Sequence, residues 1–146
     1  MKLKIAFVAA ALILSACTNT SHPDGPGVVT GIQVDAGREF EITAGQEAQV
    51  RGTPLTVRFA GVTNESRCPS DVQCVWAGNA VVNLTLAAAG SGSADAALNT
   101  TLDPKSAVFA GYRVTLTGLK PYPRTGATIS PGSYVATLEV RAVSGG

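Results

Sequence analysis

From residue 28 onward, apolar and polar side chains alternate with a period of two, and the pattern recurs along the chain. Phe40 and Ile42 alternate with Glu39 and Glu41. Leu55, Val57 and Phe59 alternate with Thr56, Arg58 and Ala60. Val82, Leu84 and Leu86 alternate with Val81, Asn83 and Thr85, and Tyr112, Val114 and Leu116 with Arg113, Thr115 and Thr117. Tyr134, Ala136, Leu138 and Val140 alternate with Val135, Thr137, Glu139 and Arg141. A strand points successive side chains to opposite faces, so each run buries one face and wets the other. No stretch combines helical spacing with capping residues. Weaker strands are expected at residues 28–34, 47–51 and 98–102.

Turn formers separate these runs: Ala44-Gly45-Gln46, Gly90-Ser91-Gly92-Ser93, Asp103-Pro104 and Ser130-Pro131-Gly132. The Gly90–Ser93 stretch reads as a flexible hairpin tip. Seven or eight short antiparallel strands in this length predict an all-β chain. The expected form is a single Ig-like β-sandwich over residues 28–146, with a small open β-barrel as the alternative. Tyr134 follows a turn, and its hydroxyl is expected to tie back to that turn. Charged residues make up 14% of the chain and aromatic residues 5%, which suits a lightly built β protein. Nine basic and ten acidic residues follow residue 16, a formal net charge of −1. No basic stripe is present, so a nucleic-acid partner is not expected.

The N-terminus carries an address. Lys2 and Lys4 precede a nearly continuous apolar run over residues 5–16, too short to cross a bilayer as a helix. The run ends in Leu14-Ser15-Ala16-Cys17. This segment resembles the lipobox of bacterial lipoproteins. The resemblance implies a signal peptide over residues 1–16, cleavage between Ala16 and Cys17, a diacylglycerol on the Cys17 sulfur and acylation of the new amine. Each buried methylene then contributes roughly 0.8 kcal/mol, and two or three acyl chains hold where one would not. The competing reading is an ordinary secretory signal with a chance cysteine. Thr18 stands where an aspartate would mark retention in the inner membrane, which favours the outer membrane. Residues 17–27 then form the lipidated N-terminus and a flexible tether rich in turn formers. His22 lies in that tether and is expected to be solvated.

Cysteine usage fits export. With Cys17 modified, Cys68 and Cys74 remain and can pair in an oxidising compartment. A ring this small would contribute about 2 kcal/mol by the chain-entropy estimate. A zinc site is the alternative, but it needs four ligands, or three and a water, and His22 is the only other soft ligand. No metal and no other cofactor is expected.

Residues 67–80 are the most individual stretch, with Arg67-Cys68-Pro69, then Cys74-Val75-Trp76-Ala77-Gly78. The pattern resembles a motif of small, mostly uncharacterised bacterial secreted and lipoprotein domains. Residues 112–123, closing in Pro121-Tyr122-Pro123, are similar to the same group. The resemblance implies a β domain with a disulfide and no particular activity. Physically the stretch reads as a stapled crossover between strands. Pro69 fixes its backbone, Asp71 can accept from nearby amides, and Gly78 permits a turn or bulge. Trp76 is expected over the disulfide, capping the core, with an exposed binding role as the alternative. Arg67 is expected to pair with Asp71 at the surface, contributing no more than about 1 kcal/mol.

Catalytic patterns are lacking. The only histidine lies in the tether, the acids are scattered, and no glycine-rich phosphate loop leads from a strand into a helix. The expected function is a non-enzymatic binding or structural module, tethered to the cell envelope by its lipid. Its contacts with an envelope partner would run through the Cys68–Cys74 loop, with Arg67, Asp71 and Trp76 as the candidate residues, or through a sheet edge. The alternative is a protease inhibitor presenting the braced loop 67–78 with Arg67 as its basic residue, since a rigid loop loses little entropy on binding. The Ig-like architecture is similar to that of chagasin-family inhibitors, whose loop motifs this chain lacks.

Overall fold

The computed structural model describes residues 31–144 of the 146-residue chain. Cys17, the lipobox and the tether over residues 17–27 lie outside the described residues. Nine strands form: β1 (Ile32–Asp35), β2 (Glu39–Thr43), β3 (Glu47–Arg51), β4 (Leu55–Thr63), β5 (Val81–Ala88), β6 (Gly92–Asn99), β7 (Ser106–Phe109), β8 (Tyr112–Lys120) and β9 (Val135–Ala142). A single turn of 3-10 helix, Pro131–Ser133, precedes β9. The strands make a five-stranded sheet in the order β1-β3-β4-β5-β6 and a four-stranded sheet in the order β2-β9-β8-β7. The two sheets pack as a sandwich and do not close into a barrel.

The strong alternating runs all became strands, and their apolar positions meet between the sheets. Val57, Phe59, Leu84 and Leu98 from the first sheet join Ile42, Val114, Leu138 and Val140 from the second in one buried cluster. Burying one such aliphatic or aromatic side chain is worth about 1.5–3 kcal/mol. This shared core holds the layers together.

Two points correct the expectation of seven or eight antiparallel strands. The count rises to nine because β7, four residues long, is too short to display a clear alternation, whereas β1 overlaps the weak strand expected at residues 28–34. One pairing is parallel: β1 runs beside β3, with Ile32 opposite Ala48. The reason lies in the short turns around β2. The chain crosses from β1 to the other sheet for β2, then returns for β3, so β1 and β3 both oppose β2 and share a direction. The expected weak strand at residues 98–102 is also displaced, since β6 occupies Gly92–Asn99. Gly92 and Ser93 therefore belong to a paired strand, opposite Ala88 and Ala87, and not to a hairpin tip.

Two bulges lie a few residues before long loops. Register slips between Phe59 and Gly61 in β4 and between Leu116 and Gly118 in β8. A bulge inserts one unpaired residue and re-aims the side chains beyond it. In β8 it lets both Leu116 and Leu119 reach the core, three residues apart.

Strand directions sort the connections into two ends. At one end lie the entry at Gly31, the turn at 44–46, and the loops 64–80, 100–105 and 121–134. At the other lie the turns at 36–38, 52–54, 89–91 and 110–111, together with the last described residues.

Candidate functional site: a stapled loop at one end of the sandwich

Loop 64–80 joins β4 to β5, two neighbours in the same sheet, and continues their pairing as a short stem. Ser66 N–H donates to Asn79 O at 2.7 Å, and Cys68 N–H donates to Ala77 O at 2.9 Å. Ser66 Oγ donates to Asn79 O and accepts from Asn79 N–H. Gly78 is required in this stem. Its φ is +69°, and a Cβ there would sit 1.8 Å from Ser66 O. Beyond the stem, Cys68 and Cys74 are joined by a disulfide with 5.9 Å between their Cα atoms. With both sulfurs bonded to each other, neither serves as a zinc ligand.

Arg67 pins the loop to the opposite sheet. It is only 5% exposed. Its Nε and Nη2 donate to the Glu65 carboxylate, with the shortest contact 2.6 Å from Nη2 to Oε2. Nη1 donates to Leu119 O at 2.7 Å, and Nη2 also to Pro121 O at 2.8 Å. The guanidinium lies over the Tyr122 ring, 4.8 Å from its centroid. The planar fork thus ties two consecutive stretches of chain, a task for which a point-charge ammonium is poorly shaped. Tyr134 completes the group, its hydroxyl donating to Glu65 Oε2 at 3.2 Å. Burial alone would raise the Glu65 carboxyl, but hydrogen bonds from the Arg67 side chain and backbone, with its charge, outweigh this and hold the group below its usual range. Tyr134 is raised, first by burial and then by the nearby carboxylate.

Three expectations are corrected here. Arg67 does not pair with Asp71 at the surface; its partner is Glu65, and the pair is largely buried. The Tyr134 hydroxyl does not return to its own turn; it bonds Glu65. Trp76 does not cap the core: it is 81% exposed, next to Val75 at 91%. The core at this end is closed by Leu119, Tyr134 and the Glu65–Arg67 pair instead.

Asp71 docks the disulfide ring onto loop 121–134. Its Oδ1 accepts from Thr125 N–H at 3.0 Å and from Thr125 Oγ1 at 3.4 Å. The amide bond from Thr125 is the main cause that lowers the Asp71 carboxyl below its usual range. Ser70 N–H donates to Pro123 O at 2.9 Å. On the other flank, Asn79 Nδ2 donates to Asn99 Oδ1 at 2.8 Å, and Asn79 Oδ1 accepts from Thr101 N–H at 3.1 Å. The loop is therefore braced on both sides, and Trp76 projects from a rigid base. Beside it, Trp76, Ala77, Gly78, Thr101 and Leu102 line a shallow, open and mainly apolar groove.

Of the three loop residues singled out in the sequence, only Trp76 offers its side chain freely; Arg67 and Asp71 hold the loop in place. Leu102 and Tyr122 are both well exposed; Tyr122 lies in the Pro121-Tyr122-Pro123 stretch that stands out in the sequence, whereas nothing in the sequence marks Leu102 as a surface residue of this end. No group of His, Cys, Asp and Glu among the described residues is arranged to hold a metal ion. No protein-family model, no curated protein and no solved structure matches the chain.

Proposed function

We propose that this protein is a lipid-anchored protein of the bacterial cell envelope, held through Cys17, whose sandwich is a non-enzymatic binding module that makes contact through the braced end of the fold. One observation carries the binding role. The only tryptophan of the chain is 81% exposed on a loop fixed by a disulfide, a buried ion pair and flanking hydrogen bonds. Exposing a large aromatic side chain forfeits the burial it would have in a core. A rigid base lowers the entropy lost when such a side chain is captured. The reading is non-enzymatic because the Glu65, Arg67 and Tyr134 hydrogen bonds are directed into the fold. An inhibitor acting through Arg67 gains no support, since that side chain would have to leave five hydrogen bonds to enter a protease pocket. The lipobox supports the anchor, and Thr18 supports the outer membrane.

The test is mass spectrometry of the protein isolated from its membrane fraction, alongside a Cys17→Ser variant. The expected result is a chain beginning at Cys17 with acyl groups on it, and a variant that carries no acyl group and retains residues 1–16. An unmodified Cys17 sinks the anchor, and a variant that is cut before position 17 like the native chain does the same.

A further inference from the structure

The seven exposed large apolar side chains among the described residues are unevenly placed. Val72, Val75, Trp76, Leu102 and Tyr122 lie in the loops at one end; only Val108 and Val143 lie elsewhere. The same end receives the chain from its N-terminus. Gly31 sits beside Glu47, whose carbonyl oxygen is 3.4 Å from where a Gly31 Cβ would be. β1 runs from there toward the opposite end, parallel to β3, so the described chain begins at the loop end. Thirteen residues, 18–30, separate Cys17 from Gly31. Even fully extended they span at most about 45 Å. Bringing the far end of the sandwich to the bilayer would require this stretch to run back along strands of roughly 30 Å, which uses about two-thirds of its reach. The loop end needs no such return, so the attachment favours it as the end that faces the surface holding the lipid.

We propose that this end rests on that lipid surface, with Val75, Trp76 and Leu102 entering the interfacial zone of the bilayer. The proposal rests on the reading that Cys17 is lipidated, and it names the partner of the exposed loop. Tryptophan suits the occupant: its ring is apolar with one polar N–H, and such side chains favour the boundary between headgroups and acyl chains. Charge does not direct the contact. Loops 64–80, 100–105 and 121–134 carry three acidic and three basic residues: Glu65, Asp71, Asp103, Arg67, Lys105 and Arg124. With no net charge, this end is matched to the apolar part of the interface and not to an anionic headgroup. The braced loop gives the ring a fixed height above the domain, so tether and ring together orient the molecule.

The experiment uses the lipidated protein from membranes, reconstituted into vesicles of phosphatidylethanolamine and phosphatidylglycerol. Trp76 is the only tryptophan, so its fluorescence reports this contact alone. The expected result is emission shifted to the blue of that of the Cys17→Ser chain in buffer, loss of intensity when the acyl chains carry bromine, and no change at raised salt. The V75S/L102S variant should stay on the vesicles while its emission moves back to the red. A lipidated, vesicle-bound protein whose Trp76 emits as in water, and is quenched by iodide but not by bromolipid, overturns the proposal and leaves the anchor intact. Shielding of Trp76 only after an envelope protein is added overturns it in favour of a protein partner. A bare Cys17 on a chain that does not float with vesicles overturns the anchor, and this contact with it.

Discussion

Arg67 and Trp76 exchange the roles their residue types suggest. The arginine is inside, and the tryptophan is outside. Each placement has a cause. Arg67 carries enough donors to satisfy one carboxylate and two carbonyls at once, so burial leaves it paired. Trp76 lies beyond the Gly78 turn on a stem whose backbone bonds carry it away from the core. Replacing Arg67 by alanine is expected to destabilise the domain by about 3 kcal/mol, because Glu65 loses its counter-charge in a partly buried place. Arg67→Lys should recover only part of that loss, since a single ammonium does not reach all the acceptors. Trp76→Ala should change stability by no more than about 0.5 kcal/mol, as is usual for exposed positions. Chemical denaturation of the three variants checks all of this; a large loss for Trp76→Ala would place the ring back in the core.

At the scale of the element, loop 64–80 depends on one backbone position more than on its disulfide. Gly78→Ala sets a methyl group 1.8 Å from Ser66 O and adds an unfavourable φ. Gly37 has a similar φ of +79° but nothing within 4 Å of an added Cβ. Gly37→Ala is therefore expected to cost only about 1 kcal/mol, whereas Gly78→Ala should cost clearly more and open the stem. Amide exchange of Ser66 and Cys68, the stem donors, reads the opening directly. Removing the disulfide with paired Cys68→Ser and Cys74→Ser changes should cost about 2 kcal/mol, the entropy of a small ring. If the double variant lost far more, the ring would have to hold contacts beyond its own closure. The elements also show what is legible in the sequence. Period-two runs with strong β-formers mark their strands at the correct positions. β6 is harder to place because Ala94, Ala96 and Ala97 have little strand preference of their own, and pairing with β5 recruits them. The bulge in β8 breaks the alternation at Gly118, which hides Leu119. The disulfide is readable from the cysteine number together with the export that the lipobox resemblance implies. The Arg67–Glu65 pair is not, because its acceptors Leu119 and Pro121 are backbone groups more than fifty residues away.

Across the whole molecule, pH acts through the same pair. The folded Glu65 carboxyl lies below its usual value of 4.5. As pH falls, the unfolded chain therefore binds a proton before the folded one does. The stability that Glu65 contributes is fully present above that value and is lost as pH falls through the folded value. Asp71, lowered mainly by its bond from Thr125, and Glu139, lowered mainly by its bond from Arg141, act in the same direction. Tyr134 acts at the other extreme: raised above 10.0, it loses its contribution as pH climbs beyond that value. Urea unfolding from neutral pH down to about 3 should show a steady midpoint, then a fall that begins near the usual glutamate value. Glu65→Gln supplies the decisive comparison. At neutral pH it leaves the Arg67 charge buried against carbonyls alone, so the variant is the weaker protein. In acid the native Glu65 becomes protonated and resembles glutamine, so the two curves should converge. Curves that stay parallel down to acid would show that the pair does not govern the acid response, and that Asp71 and Glu139 carry it instead.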